Sequence, residues 1–201
     1  MSTQASFPAL RWVAAAWFAL WFPTYAMVWG WGNFIQFCDV SVFLTVAGLW
    51  TGSALLLSSQ AVAAIVINTV WTLDVLWRLV LGQHLLGGTE YLWDARYPLW
   101  VRLLSLYHVV VPVLLLWAVR RTGYNPRGWL LQAGISVPVL IASRFVSPEK
   151  NYNFSIVDPI LQHAFRPAAL HLAIILFFLI FVVYWPTHQI LLRTYPPAQR
   201  K

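Results

Sequence analysis

Charge is scarce in this chain. Only 9% of its 201 residues are Asp, Glu, Lys or Arg, against roughly 25% in a soluble domain. With 60% hydrophobic residues and a mean hydropathy of +0.68, that scarcity excludes a soluble globular domain and marks an integral membrane protein. Cysteine is almost absent: the single Cys38 rules out an internal disulfide and a cysteine-rich metal site. There is no phosphate-cradling glycine loop, haem-attachment motif or dinucleotide fingerprint, so no cofactor is implied. Repeats and low-complexity tracts are missing too, and the whole length, 1–201, reads as one transmembrane domain. The net charge of +7 comes from scattered basic residues, several of them capping apolar segments. That pattern fits anionic membrane lipid and gives no nucleic-acid signature.

What the chain has in abundance is apolar segments. Six stand out, about 12–29, 34–57, 61–82, 98–119, 128–146 and 168–186. Each is near the ~20 residues a helix needs to cross the hydrocarbon core. Isolated strands would leave their backbone groups unpaired in lipid, so the expected fold class is all-α, a six-transmembrane-helix bundle. Residues 1–30 lack a small-x-small cleavage site and Pro23 interrupts their apolar run, so they read as the first span. Ser58-Ser59-Gln60 reads as the tight turn between the second and third spans. The thirteen tryptophans and eight tyrosines fit rings anchored at two water–lipid boundaries.

Loop charge sets the orientation. Arg120, Arg121 and Arg127 crowd one loop without an acid, and the tail adds Arg193, Arg200 and Lys201. The opposite loops mix Arg96 with Glu90 and Asp94, and Lys150 and Arg166 with Glu149 and Asp158. Both termini are therefore expected in the cytoplasm, in a plasma (inner) membrane.

Threading the spans alternately places nearly all intramembrane polar groups in the outer half, with His108 about mid-depth. These are Cys38, Asp39, Asp74, Arg78, Arg102, Ser105, His108, Asn151, Asn153 and His171. An ionisable group at the bilayer centre costs ~2.5–3.5 kcal/mol on insertion scales and normally faces a bundle interior. An outward-opening polar pocket is the expectation. Asp74 and Arg78, spaced i, i+4, read either as a pair along one helix face or as a polar wall of that pocket. Arg102 and Arg144 read as snorkelling to headgroups or serving the pocket. Pro112 removes the amide that would bond the His108 carbonyl, so the helix is expected to kink beside this histidine. Ser105, one turn earlier, offers a Ser/His arrangement as an alternative to Cys38 with His108. A metal site from His108, His171, Asp39 and Asp74 has no support in the spacing, and no metal is expected.

Several motifs carry a resemblance. Phe37-Cys38-Asp39, Leu106-Tyr107-His108, the Arg121–Arg127 stretch RTGYNPR, Asn151-Tyr152-Asn153-Phe154 and Val183-Tyr184-Trp185-Pro186-Thr187-His188 follow one another. Their order resembles the YwaF-like membrane proteins, a superfamily that includes the TMEM-type lipid acyltransferases. Over nearly its whole length the chain is also similar to bacterial proteins described only as membrane-associated. The resemblance implies a six-helix bundle, an acyl-carrying cysteine at Cys38 and an activating histidine at His108. It also implies an Asn-Tyr-Asn stretch at the pocket mouth. The expected function is lipid handling, by acyl transfer or hydrolysis, with Arg102 and Asn151 holding the headgroup or an oxyanion. Two alternatives stand beside it: non-catalytic binding or transport of a quinone, sterol or pigment, and a small subunit of a larger membrane complex. Expected partners are membrane lipids, with a membrane-protein partner or a second copy of the chain as further candidates.

Overall fold

The computed structural model describes residues 7–198. Arg200 and Lys201, which entered the orientation argument, lie outside the described residues. Among those described the fold is all-helical, without strands. The main helices among the described residues are α1 (Leu10–Val28), α2 (Phe37–Thr51), α3 (Ala54–Leu81), α4 (Leu99–Thr122), α5 (Gly128–Phe145) and α6 (Ala168–Thr194). Helices α3, α4, α5 and α6 are long and apolar enough to cross a membrane, which marks a membrane protein. α2 is apolar but has only 15 residues. α1 has 19, with Arg11, three tryptophans, Pro23 and Thr24 diluting its hydropathy.

Local chemistry explains where the helices end. α2 stops at Gly52, whose φ of 66° is left-handed, and α3 starts after Ser53, whose hydroxyl accepts the Leu56 N–H at 3.3 Å. The hairpin turn therefore sits at Gly52-Ser53. Ser58-Ser59-Gln60, expected to form it, lie inside α3 and are buried. Their side chains serve other partners: Ser58 Oγ accepts the Asn125 N–H (2.9 Å), and Gln60 donates to Gln132 (3.2 Å). A polar run on a helix face that meets another polar face is indistinguishable from a turn in one dimension.

α3 is the central helix and packs against α2, α4 and α5. Half of its most apolar stretch is buried, against 22% for α6. Small residues permit this: Ala61, Ala63 and Ala64 meet Leu115, Ala118 and Val119 of α4 in the core. The outward faces carry exposed Val110, Val113, Phe177, Phe181 and Val182, as expected of lipid-facing surface. Two helices are irregular. α4 passes through a 3-10 turn at Leu104–Leu106, just before His108. α6 widens into a π-helical stretch, Phe178–Tyr184, upstream of Pro186, which has no N–H for the preceding turn.

One end of the bundle gathers residues 29–36, the loop 82–98 and the segment 146–167. Trp29 meets Tyr97 there at 4.4 Å between ring centroids, and Lys150 donates to the Trp29 carbonyl. The other end gathers the Gly52-Ser53 turn, residues 123–127, Phe7 beside Trp117, and the segment around Pro196. Arg11 lies over Trp50 there, and Tyr124 exchanges backbone hydrogen bonds with Pro196 and Ala198.

Candidate functional site

Cys38 and Asp39 occupy the first turn of α2, and a distant loop holds that turn in place. Asn153 Oδ1 accepts the Phe37 N–H (2.9 Å), while its amide donates to the Ile35 carbonyl (2.8 Å) and to Ser143 Oγ (2.7 Å). Asn151 and Asn153 adopt left-handed backbone, φ 47° and 53°, which asparagine tolerates better than most residues. Asn151 closes its own loop: its Oδ1 accepts from Ile156 and Val157, and its amide donates to Val157. His171 donates from Nε2 to the Phe154 carbonyl (2.9 Å), and Arg144 donates to the Ser155 carbonyl. None of Asn151, Asn153 and His171 lines the cavity below. They form a clamp behind it.

Asp39 is 1% exposed and accepts from Asn33 Nδ2 (2.5 Å) and the Tyr107 hydroxyl (2.9 Å). Gln36 donates to Asn33 Oδ1 (2.7 Å), which fixes the Asn33 amide toward the carboxylate. The Cys38 thiol is directed at Asp39 Oδ1, 3.9 Å away. From α4, the His108 ring stacks on Trp71 (4.3 Å, 13° between planes) and on Tyr107 (4.1 Å, 25°). His108 Nδ1 lies 2.8 Å from the Ser105 carbonyl, to which it can only donate. Nε2 is then the unprotonated acceptor nitrogen, and it has no hydrogen bond among the described residues. Ser105 Oγ bonds the Tyr25 hydroxyl at 2.7 Å and not the imidazole.

These side chains wall a cavity of about 180 Å³, lined by Tyr25, Trp29, Asn33, Gln36, Cys38, Asp39, Trp71, Gly88, Tyr91, Tyr107 and His108. A wider cleft of about 600 Å³ adjoins it, sharing Trp29 and Tyr91 and adding Arg78, His84, Glu90, Trp93, Asp94, Arg96 and Tyr97. In that cleft Arg96 forks onto Asp94 (2.7 Å), and this pairing holds the carboxyl below its usual range. Burial pushes the Tyr91 phenol above its ordinary value, so it is a neutral hydroxyl at physiological pH.

The loop over the cavity hangs on Asp74. This carboxylate accepts the N–H groups of Leu85 (2.7 Å), Leu86 (2.7 Å) and Gly87 (3.1 Å), with the Thr89 hydroxyl and His84 Nδ1 on its other oxygen. The i, i+4 pair with Arg78 is therefore not formed; Arg78 lies over the Trp93 ring at 5.8 Å, on the cleft wall. Arg102 donates to the Leu92 carbonyl (2.7 Å) and ties down the same loop. Both Arg102 and Arg144 hold loop carbonyls.

Of the residues the sequence singles out, the fold thus brings Cys38, Asp39 and His108 to one cavity, with Ser105 just behind its wall. Arg78 stands in the adjoining cleft. Asn33, Gln36, Tyr25, Trp29, Trp71 and Tyr91 are the lining residues that sequence reasoning missed. The one-dimensional trace of them is Asn33 and Gln36, two amides interrupting an aromatic run just before Cys38-Asp39. Among the described residues no three His, Cys, Asp or Glu side chains are grouped to hold a metal ion.

Comparisons with protein-family models, with curated proteins and with solved structures gave no match.

Proposed function

We propose that the protein is a six-pass resident of the plasma (inner) membrane, both termini cytoplasmic, that binds the ring of a lipid-soluble, hydroxyl-bearing molecule of the quinol class. The orientation is supported by charge. The end that carries Arg11, Arg120, Arg121, Arg127 and Arg193 has no acid, while all six acids of the chain fall at the cavity end or in its loops. α1 and α2 are counted as crossings because α2 packs on α3 and α1 packs on α2.

One observation carries the ligand class: a cavity close to ring size, walled by aromatic faces, with the acceptor Nε2 of His108 at its edge. About 180 Å³ is near the ~150 Å³ that holds one benzene. A ligand hydroxyl donating to Nε2 would gain a hydrogen bond between aromatic walls of low polarity, where it counts for more than in water. Expected partners beyond this ligand are membrane lipids against the exposed apolar faces.

The test is equilibrium binding of a short-chain ubiquinol to the detergent-purified protein. Wild type binds saturably, and His108→Ala weakens binding about tenfold, the worth of one good hydrogen bond and a stacking face. Equal affinity in the two proteins sinks the reading.

A second reading has a specific observation behind it: Cys38 and His108, the acyl-carrying and activating positions implied by the acyltransferase resemblance, line the same cavity. Against it, the thiol points to Asp39 and not to the imidazole. Intact mass spectrometry of protein in native lipid, before and after hydroxylamine, decides. A labile adduct of acyl mass on Cys38 that His108→Ala abolishes favours acyl transfer.

A further inference from the structure

The wider cleft of about 600 Å³ beside the cavity is left unused by the ring-binding reading. Its ionisable lining residues are Arg78, His84, Glu90, Asp94 and Arg96, with the phenols of Tyr91 and Tyr97. Two of the charges cancel within the protein, because Arg96 donates to Asp94 Oδ2 from Nε (2.9 Å) and from Nη2 (2.7 Å). His84 Nδ1 is taken up by Asp74 and Thr89. That leaves Arg78 and Glu90.

Neither of these finds an opposite charge among the described residues. Arg78 lies over the Trp93 ring at 5.8 Å, a stacking contact that holds the guanidinium in place but uses none of its N–H donors. The Glu90 carboxylate lies against Gly87, with Oε1 2.8 Å from where a methyl on that glycine would stand. A cation and an anion that line one cleft without closing on each other are complementary to a ligand bearing both signs. A simple anion would be repelled by Glu90, and a simple cation by Arg78.

The surroundings point to lipid as the source. Arg78 is half-buried in the last turn of α3, a membrane-length helix, and the next three side chains, Leu79, Val80 and Leu81, are exposed. Leu85 and Leu86 of the following loop are exposed as well. An arginine at such a boundary sits where acyl chains give way to phosphates. Four aromatic residues complete the cleft: Trp29, Tyr91, Trp93 and Tyr97, with Trp29 packed on Tyr97 (4.4 Å) and on Tyr91 (5.4 Å). Tryptophan and tyrosine are the rings found at headgroup level, and their faces attract an ammonium group.

We propose that the cleft binds the head of a zwitterionic phospholipid of the phosphatidylethanolamine type, its phosphate on Arg78 and its primary ammonium on Glu90 among the aromatic rings. The guanidinium donates two parallel N–H bonds to phosphate oxygens, and the ammonium donates to the carboxylate. The acyl chains run along the exposed apolar end of α3. Phosphatidylglycerol offers the same phosphate without the ammonium, so it leaves Glu90 facing an uncompensated negative charge. The inference rests on the membrane reading of the helices and is independent of the ring-binding one, since neither Arg78 nor Glu90 lines the smaller cavity.

The experiment is native mass spectrometry of the full chain, delipidated in detergent and offered equal amounts of palmitoyl-oleoyl phosphatidylethanolamine and phosphatidylglycerol. Wild type retains the ethanolamine lipid about tenfold over the glycerol lipid, the worth of one charge-assisted hydrogen bond. Arg78→Gln lowers retention of the ethanolamine lipid by a similar factor, and Glu90→Gln abolishes the preference between the two. A helical circular dichroism spectrum checks the fold of each variant. Should Arg78→Gln fail to fold, Trp93→Leu, which removes the ring beneath the guanidinium, takes its place. Equal retention of the two lipids by wild type overturns the proposal, as does wild-type selectivity in both Arg78→Gln and Glu90→Gln. Soluble phosphoethanolamine in excess leaves the bound lipid in place; displacement would make the free head the ligand and overturn the lipid assignment. Failure of ubiquinol binding leaves these lipid ratios untouched, and their failure leaves ubiquinol affinity as it is.

Discussion

Two polar regions are buried at opposite ends of α3, and they are built on different principles. Around Gln60 and Gln132 the helices close tightly. Gly128 of α5 has no room for a methyl, which would stand 2.8 Å from Ser58 Cβ, and Gln60, Gln132, Ser136 and Tyr184 leave no buried polar atom without a partner. Around Asp39 the walls are large aromatic rings that keep the helices apart, and among the described residues the His108 Nε2 has no hydrogen-bond partner. Small residues with paired amides lock a bundle, whereas rigid rings and an unused acceptor leave a site. The same hydrogen-bonding vocabulary serves packing in one place and recognition in the other.

The comparison breaks most visibly at Asp74, because the rim of the open region depends on one carboxylate. Asp74→Ala removes the acceptor for three backbone N–H groups, the Thr89 hydroxyl and His84. A loss on the order of 3 kcal/mol or more is expected, with amide exchange rising sharply across residues 84–90. Unchanged exchange there would refute the anchoring role.

The closed region should respond to volume. Gly128→Ala forces α3 and α5 apart and is expected to cost about 2 kcal/mol, read as a lower midpoint in detergent unfolding. Ubiquinol binding at the far end should stay as it is; a joint loss would show that the two regions are coupled.

Polar pairing in the closed region is worth less. Gln132→Leu leaves the Gln60 amide with only Ser59 Oγ (3.0 Å) as acceptor and is expected to cost about 1 kcal/mol, in line with interhelical hydrogen bonds in membranes. A value near zero would mean that packing alone holds α3 to α5.

The smallest effect is expected at Cys38, whose thiol makes one long contact to Asp39. Cys38→Ser should shift stability by less than about 1 kcal/mol and leave ubiquinol affinity unchanged. Loss of binding in this variant would move the weight of the site from His108 to the cysteine.

Much of this arrangement is legible in one dimension, and the exceptions are instructive. The polar residues that interrupt apolar helices, Asp39, Asp74 and His108, all prove to sit at the same end, as threading alternate spans requires. The turn between α2 and α3 was misplaced because Ser58-Ser59-Gln60 looks like punctuation, while the true stop is Gly52 with its left-handed backbone. Asp74 and Arg78 share a helix face, yet the carboxylate prefers three backbone donors eleven to thirteen residues away over a flexible guanidinium at the membrane edge. Local spacing ranks neighbours on one helix only.

Composition and hydropathy by themselves determined that this is an all-helical membrane protein, because the cost of burying backbone and charge in lipid is a property of each segment alone. Which polar groups meet was decided by tertiary structure. Asp39 finds Tyr107 across 68 positions, and Phe37 finds Asn153 across 116. Hydrogen bonds act over about 3 Å, so their partners exist only once the helices have packed, and a cavity is what remains where rings prevent that packing from closing.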